Sequence, residues 1–530
     1  MYNQVTKINA REQLISDAIT ALTVDRSNSY VIGEKNLDKI LLHFKELFHS
    51  FLVKCESTKI DAFDEDLEKC KQNWNVHTEN HINKKKASGL KVLYLSGPEP
   101  QNDINVFLKY GILINNIWAI ESDKKIYESA LQNLIDTGLH IKLHRGTLRE
   151  FFEQTNHEFD IIYFDACSPI ISPKNDPVAT LKEIFSSKRL SPLSALITNF
   201  SEAKENYNWG KLLAPWFATR NDDELPRIDY KCKLEGNEKA YSIEKYGEYI
   251  DSYIDEYYDK FITHFIPTLA GEIIPLHQVI SIPSVQRKYF LEDSKLVSLF
   301  NEIKNNTELG DNLKSFFKTI SHFKLAINGY PLLNWVRLSK DVLDTNHSIV
   351  RFIDSKTQKI SIEQSMYIGS LIKRYEESNS GFNTYTDEVC SPLFKEIIDK
   401  LNYFDREIRL TCDIPMKNLI IEFLFGIYGF PYIANTNKTY SYKYKAKKTL
   451  MYSNVFIFDQ CRSLYDFIPS IEIFTEFFKS IPNQMIIRSG IDCIRRNHLY
   501  LNSNIFKWGL IEGVDEKFGW FELKERQLIE

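Results

Sequence analysis

KVLYLSGPEP (Lys91–Pro100), NIWAIESD (Asn116–Asp123), HIKLHRGTLREFF (His140–Phe152), DIIYFDACSP (Asp160–Pro169) and SALITNF (Ser194–Phe200) are the five pieces of sequence that decide the fold. Each begins with a short apolar run rich in Val, Ile, Leu and Tyr. Each run gives way to turn chemistry and then to a helical period. Strands alternating with amphipathic helices predict a parallel sheet with helices on both faces. In such sheets ligands sit outside the carboxyl ends of the strands. The residues of interest are therefore Ser96, Gly97, Pro98 and Glu99 after the first run, Glu121 after the second, Gly146 and Thr147 after the third, and Asp165, Ala166 and Cys167 after the fourth.

Local signals support this punctuation. Thr147-Leu148-Arg149-Glu150 reads as a capping box, in which the Thr hydroxyl and the Glu carboxylate satisfy free amide groups reciprocally. Asp176-Pro177 places an N-cap before a first-turn proline. Outward from this unit, Leu37, Ile40, Leu41, Phe44, Phe48 and Phe51 recur at helical spacing, and residues 1–88 are expected to be helical, with a polar, lysine-rich linker over His77–Ser88. Tyr246, Tyr249, Ile250, Tyr253, Ile254, Tyr257, Phe261 and Phe265 form a second stripe, read as core. The expected organisation is a doubly wound, mostly parallel Rossmann-like α/β domain over 89–220. An N-terminal helical region (1–88), a second helical region (221–330) and a C-terminal α+β region (331–530) flank it. The last region is predicted to hold a helix over Met416–Tyr428, a strand NVFIFD (Asn454–Asp459), a helix over Ile471–Ile481, a strand QMIIRS (Gln484–Ser489) and short strands near Phe518–Leu523.

The chain has 530 residues, 43% of them hydrophobic and 26% charged, with a formal net charge of −5. Length predicts several domains at roughly 100–200 residues each. The charge balance gives no global nucleic-acid signal, so any such surface has to be local. Eight cysteines are scattered without a C-x-x-C pair, which argues against a zinc site of usual spacing; no metal site is expected. No run approaches the ~18 apolar residues of a membrane span, and the polar start MYNQVTKINARE lacks a signal core, so a cytoplasmic protein without membrane partners is expected.

Glu121 stands 24 residues after Gly97, where an acid can accept hydrogen bonds from ribose hydroxyls. The segments LKVLYLSGPEP, IWAIESD, IKLHRGTLREFF, FDIIYFDACSP and RLSPLSALITNF together resemble the class I S-adenosylmethionine-dependent methyltransferases over about residues 88–215. The resemblance implies S-adenosylmethionine as cofactor. It implies that Ser96, Gly97 and Pro98 line the methionine and ribose portion, Glu121 holds the ribose, Thr147 lies beside the adenine, and Asp165 contacts the cofactor and faces the methyl-transfer site. Two positions depart from the family: the first turn has one glycine and two prolines instead of several glycines, and Thr147 stands where an acid is usual. Proline also removes amide donors from the turn.

Asp165-Ala166-Cys167-Ser168-Pro169 is not the Asp/Asn-Pro-Pro-aromatic run of amino-directed DNA methyltransferases. It resembles faintly the Asp-Ala-Pro-Cys run of RNA cytosine methyltransferases, without the intervening proline, and about as well the Asp-x-x-x-Pro of aminopropyl transferases and of tRNA wobble-uridine modifying enzymes. Cys167 reads either as a nucleophile or as a small hydrophobe at a strand end, and the second is preferred because no activating base can be placed beside it. KTYSYKYKAKK (Lys438–Lys448), read as a strand, puts Tyr440, Tyr442 and Tyr444 on one face and Lys443, Lys445 and Lys447 on the other. Tyrosines that stack on bases beside lysines that neutralise phosphates would suit an RNA or DNA acceptor. Tyrosines in a core with lysines in water is the commoner arrangement. The reading from sequence is a methyltransferase acting on a nucleic acid. Its alternative is a non-catalytic interaction or nucleotide-sensing module held by protein partners in a bacterial defence or regulatory assembly.

Overall fold

The computed structural model describes residues 5–32, 34–54, 60–172, 175–203, 208–218, 243–278, 431–469, 479–499 and 525–530, with isolated residues between 332 and 351 and between 473 and 477. The five apolar runs form β1 (Val92–Leu95), β2 (Ile117–Glu121), β3 (Lys142–Arg145), β4 (Phe159–Asp165) and β5 (Leu190–Ser201), all parallel, in the order β3-β2-β1-β4-β5. This is the winding of a dinucleotide-type α/β sheet, with the strand order reversing beside β1. The expected α/β class is what the chain adopts.

The sheet does not end at β5. The chain leaves at Ser201 and returns at Ile433 to add β6 (Ile433–Ala434), β7 (Tyr440–Ala446) and β8 (Thr449–Asp459). β8 runs antiparallel to β5 along its length, from Leu193↔Asp459 to Ser201↔Met451. β7 pairs antiparallel with β8, and the short β9 (Gln527–Leu528) pairs parallel with β7. A C-terminal region carrying its own sheet, expected beyond residue 331, is therefore not what residues 433–459 form: they complete the sheet that β1 to β5 begin. Sequence distance hides this pairing, because nothing local in NVFIFD tells which strand it will meet.

Helices cover both faces. On one lie α1 (Val5–Leu22), α4 (Gln101–Lys109) and α5 (Lys124–Thr137), packing Leu14, Ile15, Ile19, Ile104, Phe107 and Leu134 against Tyr94, Tyr163, Ile197 and Val455. Between α1 and α4 in the chain come α2 (Glu34–Lys54) and α3 (Ile60–His81). α1, α2 and α3 make most of the described residues before 82 helical, and α3 runs through His77 to His81, so the linker is shorter than its polarity suggested. On the other face lie α6 (Leu148–Gln154), α7 (Pro177–Ser186), α8 (Trp209–Ala218), α9 (Ile243–Ser252) and α10 (Ile254–Gln278). The aromatic stripe does enter the core there: Tyr246, Tyr257, Phe261 and Phe265 are buried, while Tyr253 stays exposed. The capping box at Thr147 and the Asp176-Pro177 start of α7 both form as read.

Two further helices follow β8, the single turn α11 (Arg462–Tyr465) and the longer α12 (Ile481–Leu499). α12 corrects the expected strand at Gln484–Ser489. Met485, Ile486, Ile487, Ile491 and Ile494 are all buried, a spacing that a helix also satisfies, and a short apolar run cannot by itself separate the two. The expected helix over Met416–Tyr428 and the strands near Phe518–Leu523 lie outside the described residues, as do five of the eleven positions of the helix expected over Ile471–Ile481. No helix among the described residues is long and apolar enough to cross a membrane.

Candidate functional site at the carboxyl ends of the strands

Parallel register brings the ends of β1 and β2 side by side, with Leu95 opposite Ile120. The turn after β1 therefore lies next to Glu121. Ser96 continues the ladder, its amide donating to the Ile120 carbonyl at 2.8 Å. Its hydroxyl donates to the Gly97 carbonyl at 2.9 Å, so it is spent within the turn. The Pro98 carbonyl accepts from Asn133 Nδ2 on α5 at 2.7 Å, which pins the turn to the helix that follows β2. Gly97 does not take a positive φ. A Cβ placed there would meet no atom within 4 Å, so the backbone faces open space.

Glu121 is half-buried, and Oε1 accepts the Asp123 amide at 2.8 Å. Burial raises its pKa above the ordinary glutamate value, with its backbone hydrogen bonds pulling the other way. Among the described residues no cation forms an ion pair with it.

Three amides at the start of α4 are not open to an anion. The first amides of α4 are taken by the turn itself: Asn102 donates to the Glu99 carbonyl, and Asp103 and Ile104 to that of Pro100, each at 3.2 Å. Asp103, in the first turn, already supplies a negative charge to the helix dipole. Arg11 of α1 donates to Asp103 Oδ1 at 2.6 Å, and both side chains are largely buried. Burial pushes the Asp103 carboxyl up, with Arg11 opposing that rise and Asp165 adding to it.

Thr147 is committed to its helix. Its hydroxyl accepts from the Glu150 amide at 3.2 Å and donates to Glu150 Oε2 at 3.0 Å, while its own amide donates to Oε2 at 2.7 Å. Its donor and one acceptor position are therefore spent on α6, which weighs against a contact with an adenine ring.

Asp165 ends β4, opposite Asn199 of β5, which in turn lies opposite Ser453 of β8. This register builds a polar chain across three strands. Asn199 Nδ2 donates to Asp165 Oδ1 at 2.8 Å, and Ser453 Oγ donates to Asn199 Oδ1 at 2.8 Å. Asn199 Nδ2 also lies 3.0 Å from the Tyr444 hydroxyl. Lys7 of α1 approaches Asp165 Oδ2 at 3.7 Å. Cys167, in a left-handed conformation at φ 50°, donates its thiol to Asp165 Oδ1 at 2.9 Å. Desolvation of the sulfur and then the Asp165 charge raise its pKa well above normal, although the residue as a whole reaches solvent. A thiol held this way is not a ready nucleophile.

Sequence reasoning placed Glu121 and Asp165 at strand ends, where they lie, but did not find Lys7, Arg11, Asn199, Ser453 and Tyr444, which surround Asp165 and Asp103. A polar Asn inside the apolar run SALITNF was a signal for one of them. Lys7 and Arg11, four apart on a helix, were a signal for two more. The basic strand resolves towards its structural reading: Tyr442 and Tyr444 are buried, Tyr442 donating to Asp17 Oδ2 at 2.5 Å, while Lys445 and Lys447 are exposed. Those two tyrosines are not available to stack on bases. Among the described residues no cluster of three or more His, Cys, Asp or Glu is placed to hold a metal.

No protein-family model matches the chain, and no curated protein matches it. Among solved structures it is similar to PKMT2 of Rickettsia typhi in complex with AdoHcy, at 12% identity and a TM-score of 0.20, over 34% of this chain and 34% of that one. It is similar to an S-adenosylmethionine-dependent methyltransferase of Clostridium acetobutylicum at 19% identity and a TM-score of 0.17, over 29% and 55% of the two chains. It is also similar to a methyltransferase of Geobacter sulfurreducens at 16% identity and a TM-score of 0.17, over 25% and 70%. The α/β class itself stands on the strand order and directions above, and the solved structures that the chain is similar to include S-adenosylmethionine-dependent methyltransferases.

Proposed function

We propose that the chain is an S-adenosylmethionine-dependent methyltransferase whose donor lies over the Gly97 turn with its ribose hydroxyls on Glu121. The observation that carries this reading is the juxtaposition of an open glycine backbone at the end of β1 with a half-buried carboxylate at the end of β2 that forms no ion pair among the described residues. A carboxylate in that position has acceptor capacity that a vicinal diol can use. Thr147 is left out of the site, and so are the amides of α4. Bound there, the donor would supply a methyl group activated on a sulfonium sulfur, and the protein's task would be placement.

Asp165 is the residue proposed to face that placement. Asn199 and Ser453 fix its orientation, and Lys7 balances its charge from α1. Cys167 serves as a hydrogen-bond donor to it. An RNA or DNA acceptor would meet the lysine side of β7 alone.

Calorimetric titration with S-adenosylmethionine and S-adenosylhomocysteine tests the reading. Binding of either is expected, with Glu121→Ala weakening it at least about tenfold, close to 1.4 kcal/mol. Absence of heat with both ligands contradicts a donor site. Equal affinity in the variant contradicts the ribose assignment.

A further inference from the structure

At the opposite edge of the sheet, the amino ends of β4 and β5 and the carboxyl end of the antiparallel β8 enclose a cavity of about 740 Å³ with residues 80–85, Lys91 and α11. This volume lies within the usual range of roughly 300–1,000 Å³ for small-molecule sites. It is on the far side of the sheet from Glu121 and Asp165, so it is independent of the site described above.

Its acids and bases are not evenly matched. Asp160 is buried and already accepts from Lys85 Nζ at 2.7 Å and from the Lys91 amide at 2.9 Å. Asp466 is held by Arg462 and His81. Asp459 is buried with both oxygens engaged, Oδ2 by the Val31 amide at 3.0 Å and Oδ1 by the Cys461 amide at 2.9 Å. Burial pushes its carboxyl up to about 6, with its backbone hydrogen bonds and the charges of His81 and Arg26 pulling the other way. Glu158 is exposed.

Three cations on the same wall, Arg26, Lys84 and Lys91, form no ion pair among the described residues. Arg26 is the telling one, at 7% exposed. Its Nε donates to the Asn83 carbonyl and to Asn83 Oδ1, both at 2.9 Å, and Nη1 donates to the Leu22 carbonyl at 3.1 Å. Its guanidinium also lies 6.0 Å from the Tyr30 ring centroid and within the field of Asp459, without an ion pair among the described residues. The Thr78 hydroxyl, from another buried residue of the wall, lacks a partner among the described residues. Guanidinium and ammonium groups converging on one cavity match a phosphate better than a single carboxylate, because a phosphate offers three or more acceptor oxygens to several donors.

We propose that this cavity is a binding site for a phosphorylated small molecule, with Arg26 meeting the phosphate inside the wall and Lys84 and Lys91 contributing ammonium groups. The cavity is too large for inorganic phosphate alone, which is why an organic phosphate is the expected occupant.

Isothermal titration and thermal shift of the full chain with inorganic phosphate, pyrophosphate, AMP and ATP test this, with sulfate at equal ionic strength as the control. At least one organic phosphate is expected to bind with a sub-millimolar Kd and to raise Tm, and to do so more strongly than inorganic phosphate or sulfate. Lys84→Gln with Lys91→Gln should weaken that binding at least about tenfold while leaving Tm without ligand unchanged. Arg26→Lys should weaken it further; where that variant fails to fold, the lysine pair decides. S-adenosylhomocysteine affinity should be the same in the lysine variant, which separates this site from the donor site. No binding by any phosphate, equal binding by sulfate, or unchanged affinity in the lysine variant would each overturn the proposal.

Discussion

At the carboxyl edge of the sheet, Asp103 is paired with Arg11 of α1 at 2.6 Å, whereas at the amino edge Arg26 donates to carbonyl and amide oxygens and forms no ion pair among the described residues. The difference separates scaffold from site. Charges that the chain neutralises internally hold elements in place; charges that it leaves uncompensated mark positions where a ligand can supply the missing partner. By this test Asp103 and Arg11 are structural, and Glu121 on one edge and Arg26 on the other are the groups to probe.

The comparison breaks most visibly at the Arg11–Asp103 pair. Asp103→Ala leaves a largely buried guanidinium alone and should cost about 3 kcal/mol or more in urea denaturation. Replacing both partners, Arg11→Met with Asp103→Leu, should restore most of that. A loss below about 1 kcal/mol in the single variant would show that the pair does not anchor α1.

Asp459 gives a pH signature of the amino edge. Its folded pKa, about 6, lies above the ordinary 3.8. The fold therefore favours the protonated form, and the stability this contributes is full below 3.8 and is lost as pH rises through about 6. The swing is on the order of 3 kcal/mol at most. Chemical denaturation between pH 4 and 7 should show it as a falling contribution, and Asp459→Asn should flatten that component. An identical pH profile in the variant would assign the titration elsewhere.

A smaller effect sharpens the comparison within the carboxyl edge itself. Thr147→Ala removes an N-cap and should cost about 1 kcal/mol of stability. Affinity for S-adenosylhomocysteine should not change. A variant that kept its stability but lost affinity would return Thr147 to the site.

How much of this was legible in the sequence follows from how local each signal is. β1 to β5 and their caps could be read because every strand carries its own turn and helix start, as at Thr147 and Asp176. That Glu121 and Asp165 end β2 and β4 could be read because each closes an apolar run, the position that α/β sheets turn towards ligands. The partners of Asp165 could not be, since Asn199, Ser453 and Lys7 reach it only through the β4-β5-β8 register and the packing of α1. The same non-locality hid the return of residues 433–459 into the first sheet. Thr147 misled because one hydroxyl could serve either a cap or a ligand, and only geometry shows which. The amino-edge cavity left no trace in sequence: Arg26, Lys84 and Lys91 are ordinary surface types in three separate segments until the fold brings them together.

The central claim is that the open space over Gly97 is where a nucleoside-bearing donor sits. Gly97→Leu tests it most directly, because a side chain there meets no protein atom at its Cβ and needs no positive φ. The variant is expected to fold with a Tm close to that of the unchanged protein. Its calorimetric affinity for S-adenosylhomocysteine should fall at least about a hundredfold, close to 2.7 kcal/mol. A folded Gly97→Leu protein that binds as tightly as the original, or an original that does not bind at all, would contradict the account.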